Sequence, residues 1–334
     1  MLFRSQWVDA GTPFGNESEL PESAAVKGDW LLGEPDLVLQ MPEPYTPPRG
    51  KDMYRCFVLP TDATATRYVS AADVLPGDRR YVHHVILYLD TSGEAEKLDE
   101  KDPGPGYTCF GGPGTPQTAN LVNTLLNGGL ALGGWAPGTR PQFLPDGIGM
   151  VLPAKARVVM QVHYYPRGGT ASDQTKVGLY FTKGKVNKRL LYLPILPLDS
   201  RGNIALEIPA GNEKYAASAE FAVPPLFDAH VVNIFPHMHL LGTDIKSALI
   251  GRDGKETPLI WIPNWDFNWQ GPYTFVDPPA APSLARVKVT CTYNNSESNP
   301  RNPNNPVKTV RWGEGTEDEM CVVFMGITLD RDQL

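Results

Sequence analysis

The sequence predicts an all-β protein in two tandem halves. Three observations point there. Short β-branched and aromatic runs recur along the 334 residues. Between them lie turn formers, 32 glycines and 33 prolines, roughly a fifth of the chain. Brief apolar runs broken by turns are the texture of antiparallel sheets. The length suits two domains of ordinary size or one large one. Charge and glycine break the pattern at Lys183-Gly184-Lys185-Val186. The division falls there, with an irregular lead over 1–30, a first domain over 31–186 and a second over 187–334.

Composition narrows the function. A hydrophobic fraction of 41% can build real cores. A net charge of −7 lacks the basic footprint of nucleic-acid binding. No apolar run approaches the length of a membrane span, so the chain reads as soluble.

In order, strand-like patterning begins at 37–41 and continues at 54–59. Over 80–90 it alternates: His83, Val85, Leu87 and Leu89 face one way, and His84, Ile86 and Tyr88 the other. Residues 91–117 read as a long Gly- and Pro-rich loop carrying Cys109, followed by a short helical turn over 119–126. Strands resume at 147–152 and 157–165, where Val159, Gln161, His163 and Tyr165 share a face. The second half repeats the texture at 205–208, 219–223, 230–235, 245–250, 286–293 and 320–329. No sequence repeat links the halves, and 299–306 is a loop of Asn and Pro. The sequon Asn16-Glu17-Ser18 carries no weight, because such tripeptides are common by chance.

Histidine is scarce and clustered. There are six, His83, His84, His163, His230, His237 and His239. Five fall in three segments: Val82-His83-His84-Val85, Gln161-Val162-His163-Tyr164 and Phe235-Pro236-His237-Met238-His239. Residues i and i+2 of a strand share a face, so His237 and His239 can offer two imidazoles to one ion. Neutral imidazole suits zinc, copper, iron and nickel. Adjacent His83 and His84 point apart on an ideal strand, so joint ligation requires a twist or bulge there. His163 alone reads equally as a satisfied core residue.

The four cysteines, Cys56, Cys109, Cys291 and Cys321, form no Cys-x-x-Cys pair. Two lie in each half, which fits two disulfides each closing a loop of its own, worth about 4 kcal/mol apiece. Four buried thiols are the alternative. Disulfides imply an oxidising, extracytoplasmic compartment. The opening Met1-Leu2-Phe3-Arg4-Ser5-Gln6-Trp7 lacks the apolar stretch of a signal peptide. A targeting segment has been trimmed, on this reading, or the chain is part of something longer.

Met320 and Cys321 are strand neighbours facing opposite ways, with Cys321 toward the core and the Val287, Val289, Cys291, Tyr293 face. Met320 is either core filler or a ligand. With His237 and His239 it would make two nitrogens and a thioether, a set that favours copper over zinc. The aromatic peak Trp261-Ile262-Pro263-Asn264-Trp265-Asp266-Phe267-Asn268-Trp269-Gln270 either lines an apolar pocket or packs the second half.

Taken together, Tyr54-x-Cys56, His83-His84, Gln161-Val162-His163-Tyr164, His237-x-His239 and Glu319-Met320-Cys321 resemble the copper type II, ascorbate-dependent monooxygenases in order and approximate spacing. These are the enzymes typified by peptidylglycine α-hydroxylating monooxygenase and dopamine β-hydroxylase. The resemblance spans about 37–329. It implies two jelly-roll-like β-sandwich domains with one copper each, on facing surfaces. His83, His84 and His163 would hold the electron-donating copper. His237, His239 and Met320 would hold the oxygen-activating one. Cys56–Cys109 and Cys291–Cys321 would be the disulfides. His230 falls where the family often has a histidine, and a structural role is expected for it. The implied reaction hydroxylates an aliphatic C–H of a small molecule with O2, using ascorbate as electron donor.

Departures bear on the substrate. The amidating enzymes carry an arginine two residues before the His-x-His to hold a peptide carboxylate. That place is Phe235 here, and their Asn and Tyr after the methionine correspond to Val322 and Phe324. An apolar or aromatic substrate is therefore expected. Two rivals are a non-catalytic copper-binding or transport sandwich, and a zinc hydrolase on His83, His84 and His163. The second lacks a His-Glu-x-x-His helix.

Overall fold

A computed structural model describes residues 10–11, 29–50, 52–115, 131–165, 171–225 and 227–332. The expected turn over 119–126 and the sequon lie outside them. The regular structure of the described residues is almost entirely strand. Its first part runs β1 (Leu37–Gln40), β2 (Met53–Pro60), β3 (Arg67–Leu75), β4 (Val82–Asp90), helix α1 (Glu94–Lys101), β5 (Tyr107–Thr108), β6 (Ala131–Trp135), β7 (Ile148–Leu152), β8 (Arg157–Tyr164), β9 (Lys176–Phe181) and β10 (Lys188–Arg189). The second runs β11 (Leu191–Ile195), β12 (Glu207–Ile208), β13 (Asn212–Ala222), β14 (Ala229–His237), β15 (Gly242–Ile250), β16 (Glu256–Ile262), β17 (Tyr273–Thr274), β18 (Ala280–Ala281), β19 (Arg286–Asn295), β20 (Val310–Arg311) and β21 (Val322–Leu329).

In the first part, sheet β5-β2-β8-β4-β6 packs on sheet β1-β9-β3-β7-β10. Alternation decides the sandwich. Phe57 and Leu59 of β2, Val85 and Leu87 of β4, and Val158, Met160 and Val162 of β8 turn inward against Leu39, Val69, Leu152, Val177 and Leu179. Each fully buried side chain of this size contributes about 1.5–3 kcal/mol. In the second part, β11-β21-β14-β17 packs on β13-β19-β15-β16 over Val231, Ile234, Ile245, Val287, Val289, Val323 and Met325. The expected all-β, two-sandwich class is what the chain adopts. Among the described residues, no helix is long and apolar enough to cross a membrane.

Several elements differ from expectation. The 91–117 stretch contains a helix, α1, whose sequence EAEKLDEK offers little apolar periodicity. It is held instead by Asp90, whose two oxygens accept the N–H groups of Ser92 and Ala95, and by Glu94 and Glu96 at its positive end. Strands β3 and β9 were not expected at all. The strand expected from 320 begins at Val322, so Met320 and Cys321 precede it.

The halves meet without a linker. β10 pairs with β7 of the first part and β11 with β21 of the second, and Leu190 alone separates them, buried in the first core. Across the joint Arg189 forms a bidentate ion pair with Asp332, and Lys188 Nζ donates to the carbonyls of Leu329 and Asp330.

Candidate metal centre

Strands β2, β8 and β4 lie side by side, and their outer face carries a row of register partners: Tyr54 opposite His163, and His163 opposite His84. Further along the same face Cys56 and Val159 pack under α1 and the Cys56–Cys109 disulfide. A register shift between Val82 and His84 breaks the alternation. It brings His83 beside His84, although the two should have pointed apart.

Three ring nitrogens converge as a result. His83 Nδ1 lies 3.3 Å from both His84 Nδ1 and His163 Nδ1, and His163 Nδ1 lies 3.4 Å from His84 Nδ1. An ion about 2.0 Å from each nitrogen would subtend angles of roughly 110°, the spacing of an imidazole-ligated cation. The residues present therefore fit a metal.

The second cluster forms where β14 ends. His237 is the last residue of that strand and His239 lies in the turn beyond it, so the pair is not on one continuous strand as expected. The Nε2 atoms still meet, 3.1 Å apart. Each Nδ1 is engaged on the far side: His237 Nδ1 donates to Gln270 Oε1 at 2.6 Å, and His239 Nδ1 donates to the Asp318 carbonyl at 3.0 Å. With both protons placed on Nδ1, two lone pairs face each other across a gap that only a cation makes favourable.

Glu319 builds the turn. It is fully buried, and its Oε2 accepts the backbone N–H of His239 and of Met320, at 2.9 and 3.1 Å, while Oε1 accepts that of Leu241 at 2.6 Å. One carboxylate oxygen thus ties the backbones of His239 and Met320 together. Cys321, next along, is bonded to Cys291 of β19, as the family resemblance implied. Tyr293 Oη donates to the Met320 carbonyl.

Electrostatics favour neutral imidazoles. Burial, then the neighbouring histidines, hold His84 and His239 well below the usual histidine range. Burial likewise pushes His237 down to about 4. Neutral imidazole is the metal-binding form, so these rings need lose no proton to bind an ion at neutral pH. Burial pushes the Glu319 carboxyl up to about 8, against the pull of the amides of His239, Leu241, Met320 and Gly242.

The two clusters are in contact rather than separated by an open cleft. The His84 and His237 rings lie 6.4 Å apart, centroid to centroid. Phe267, from the aromatic segment, stacks on His83 at 4.9 Å and meets His239 edge-on at 5.8 Å. That segment satisfies both sequence readings at once. Trp265 packs the second core, with Nε1 donating to the His239 carbonyl, while Phe267 lies at the centre. Gly242 permits this packing, since a Cβ there would come within 2.9 Å of the Trp265 ring and 2.8 Å of the Met238 methyl.

Asp52 was not foreseen. Its Oδ1 lies 3.3 Å from His163 Nε2, an ion-pair distance without hydrogen-bond alignment, and its Oδ2 accepts the Thr316 N–H at 2.9 Å. Burial raises its carboxyl, but His163 and Thr316 outweigh that and leave it below the usual range. Tyr54 stacks on His163 at 4.1 Å and donates to the Glu314 carbonyl. Both residues join the first cluster to the loop that leads to Met320. Asp52→Ala should lower the urea midpoint by an amount equivalent to about 1 kcal/mol. An unchanged midpoint would mean that the contact contributes nothing in solution. His230, by contrast, lies away from both clusters and pairs with Asp330 at 2.8 Å on the surface.

A comparison with known protein families gives a match over part of the chain. Residues 215–327, from within β13 to within β21, match the model of the copper type II ascorbate-dependent monooxygenase C-terminal domain. The match contains His237, His239 and Met320. No curated protein matches the chain.

Proposed function

We propose that the chain is a copper-dependent monooxygenase that hydroxylates an aliphatic C–H of a small apolar or aromatic molecule, taking electrons from an ascorbate-type donor. The observation that carries this reading is the pair of facing Nε2 atoms of His237 and His239, each with its Nδ1 proton already committed. The family match over 215–327 supports it. On this reading the two domains span 31–186 and 187–334, with one copper each. His83, His84 and His163 hold the electron-donating copper, and His237, His239 and Met320 hold the oxygen-activating one. Both disulfides fit an oxidising compartment, and an extracytoplasmic location follows.

Copper supplies the one-electron steps that O2 requires. The overall change is R–H plus O2, two electrons and two protons to R–OH and water. The chain's own residues do the rest. Gln270 and the Asp318 carbonyl fix the tautomers, and Glu319 sets the His239–Met320 spacing.

Substrate class follows from the sheet face. Phe235 and Phe324 are register partners on β14 and β21, with ring centroids 6.4 Å apart. They lie on the same face as His237, one pair along from His237 and Val322. Phe235 stands at the position where the amidating enzymes hold a peptide carboxylate with arginine, so an apolar group is the better fit.

The deciding experiment is copper titration with quantified EPR before and after ascorbate, combined with oxygen uptake. Two copper ions per chain, reduced by ascorbate and consuming O2, are expected. The close approach of His84 and His237 further predicts spin–spin broadening. Copper binding without ascorbate-dependent oxygen uptake would favour a carrier instead. Met320→Leu should keep the fold and most of the copper while losing hydroxylation. Unchanged turnover in that variant would remove Met320 from the mechanism.

A further inference from the structure

The turn 266–270 is held mostly by itself and by the centre. The Trp269 N–H donates to the Asp266 carbonyl and Asn268 N–H to Asp266 Oδ1. Gln270 Nε2 donates to the Phe267 carbonyl at 2.7 Å, while Gln270 Oε1 receives His237 Nδ1. Outward, Trp269 is 73% exposed, and the turn meets the first part through the Phe267 ring stacked on His83 and a 3.5 Å contact from Thr139 Oγ1 to the Gln270 carbonyl. Trp265, before the turn, is anchored on three sides by Thr243, His239 and Arg301. The segment is therefore fixed at Trp265 and lightly held beyond it. Its one buried aromatic past that anchor, Phe267, fills the gap beside both clusters.

A carbon to be oxidised must come close to the second cluster, and on that side the protein's own phenyl ring is already there. We propose that Phe267 is the specificity-determining residue of this centre, its ring occupying the seat of the substrate's aromatic group, so that an arylalkyl substrate binds by displacing it. This inference rests on the monooxygenase reading for its consequence, though not for its test. Only a ring of similar size can restore the stacking on His83 and the edge contact with His239 that displacement removes. An alkyl carbon on such a ring then lies beside His239.

The test uses metal-free full-length protein with 4-fluorophenylalanine at position 267, titrated with ethylbenzene or with N-acetylglycine as a carboxylate-bearing control. The fluorine resonance should move, saturably, to the position of a solvent-exposed ring with ethylbenzene, and stay in place with N-acetylglycine. Phe267→Ala should bind ethylbenzene about tenfold more tightly, since no ring need be displaced. Phe267→Trp should bind it more weakly. A resonance that stays in place while ethylbenzene binds, or the absence of saturable binding, overturns the proposal. Displacement in a protein that takes up no copper would leave Phe267 in this role and overturn the monooxygenase reading alone.

Discussion

Glu319→Gln is expected to abolish copper binding at the second cluster while the first stays loaded, so that stoichiometry falls from two per chain to one. Both oxygens of the Glu319 carboxyl accept amides, those of His239, Leu241 and Met320, and they do so with or without the carboxyl proton, because a hydroxyl oxygen still accepts. Glutamine keeps one acceptor but turns an NH2 group toward at least one of those N–H groups. A buried donor left facing a donor costs about 1–3 kcal/mol, and the His239 turn must shift to relieve it. Outer partners of metal ligands typically carry 10–100-fold in affinity, and here a single group holds the backbones of two of the three proposed ligands. Copper content by elemental analysis, with a urea unfolding curve for stability, reads both effects. Two tightly held copper ions in the variant would show that the turn does not depend on Glu319.

The metal-free protein should be most stable near pH 6.5. His84, His237 and His239 are depressed from 6.5 in the folded state, so below that value the unfolded chain takes up protons that the native one refuses. Glu319 runs the other way. Its folded value is raised from 4.5 to about 8, so the native state keeps a proton that the unfolded chain has lost. Between roughly pH 4.5 and 6.5 the unfolded state binds three protons more on the imidazoles and one fewer on the carboxyl. Stability then rises with pH, by up to about 2.7 kcal/mol per unit. From 6.5 to about 8 Glu319 still keeps its proton in the native state, and its contribution makes stability fall by up to about 1.4 kcal/mol per unit. Urea midpoints across this range provide the measurement, and a flat profile below 6.5 would mean that the rings are solvated in the metal-free state.

Much of this was legible in the sequence because strand periodicity and residue chemistry are local. Alternation in 80–90 separates Val85 and Leu87 from His84 and Tyr88, and the structure buries the first pair in the core. The scarcity of histidine marked all five rings that converge. What stayed hidden is non-local or unpatterned. Asp52 and Glu319 act on backbone amides, which every residue possesses, so no motif announces Asp52, and the Glu319-Met320-Cys321 motif does not disclose what its carboxyl holds. Phe267 reaches His83 from the other half of the chain, and its placement depends on how the two sandwiches meet. Helix α1 has too few apolar residues to reveal a period, and depends on Asp90 outside it. The strand-end position of His237 escaped because boundaries follow hydrogen bonding rather than composition.

The one-residue passage at Leu190 has a consequence for anyone dividing this molecule. Leu190 and Val232, one on each side of the strand-pairing switch, are both buried in the first core. Severing the chain near residue 187 would strip the first core of two interior side chains and leave the downstream piece with Leu190 and Val232 bared to water. Neither fragment is a self-sufficient module, so recombinant dissection of the protein should keep the halves on one polypeptide.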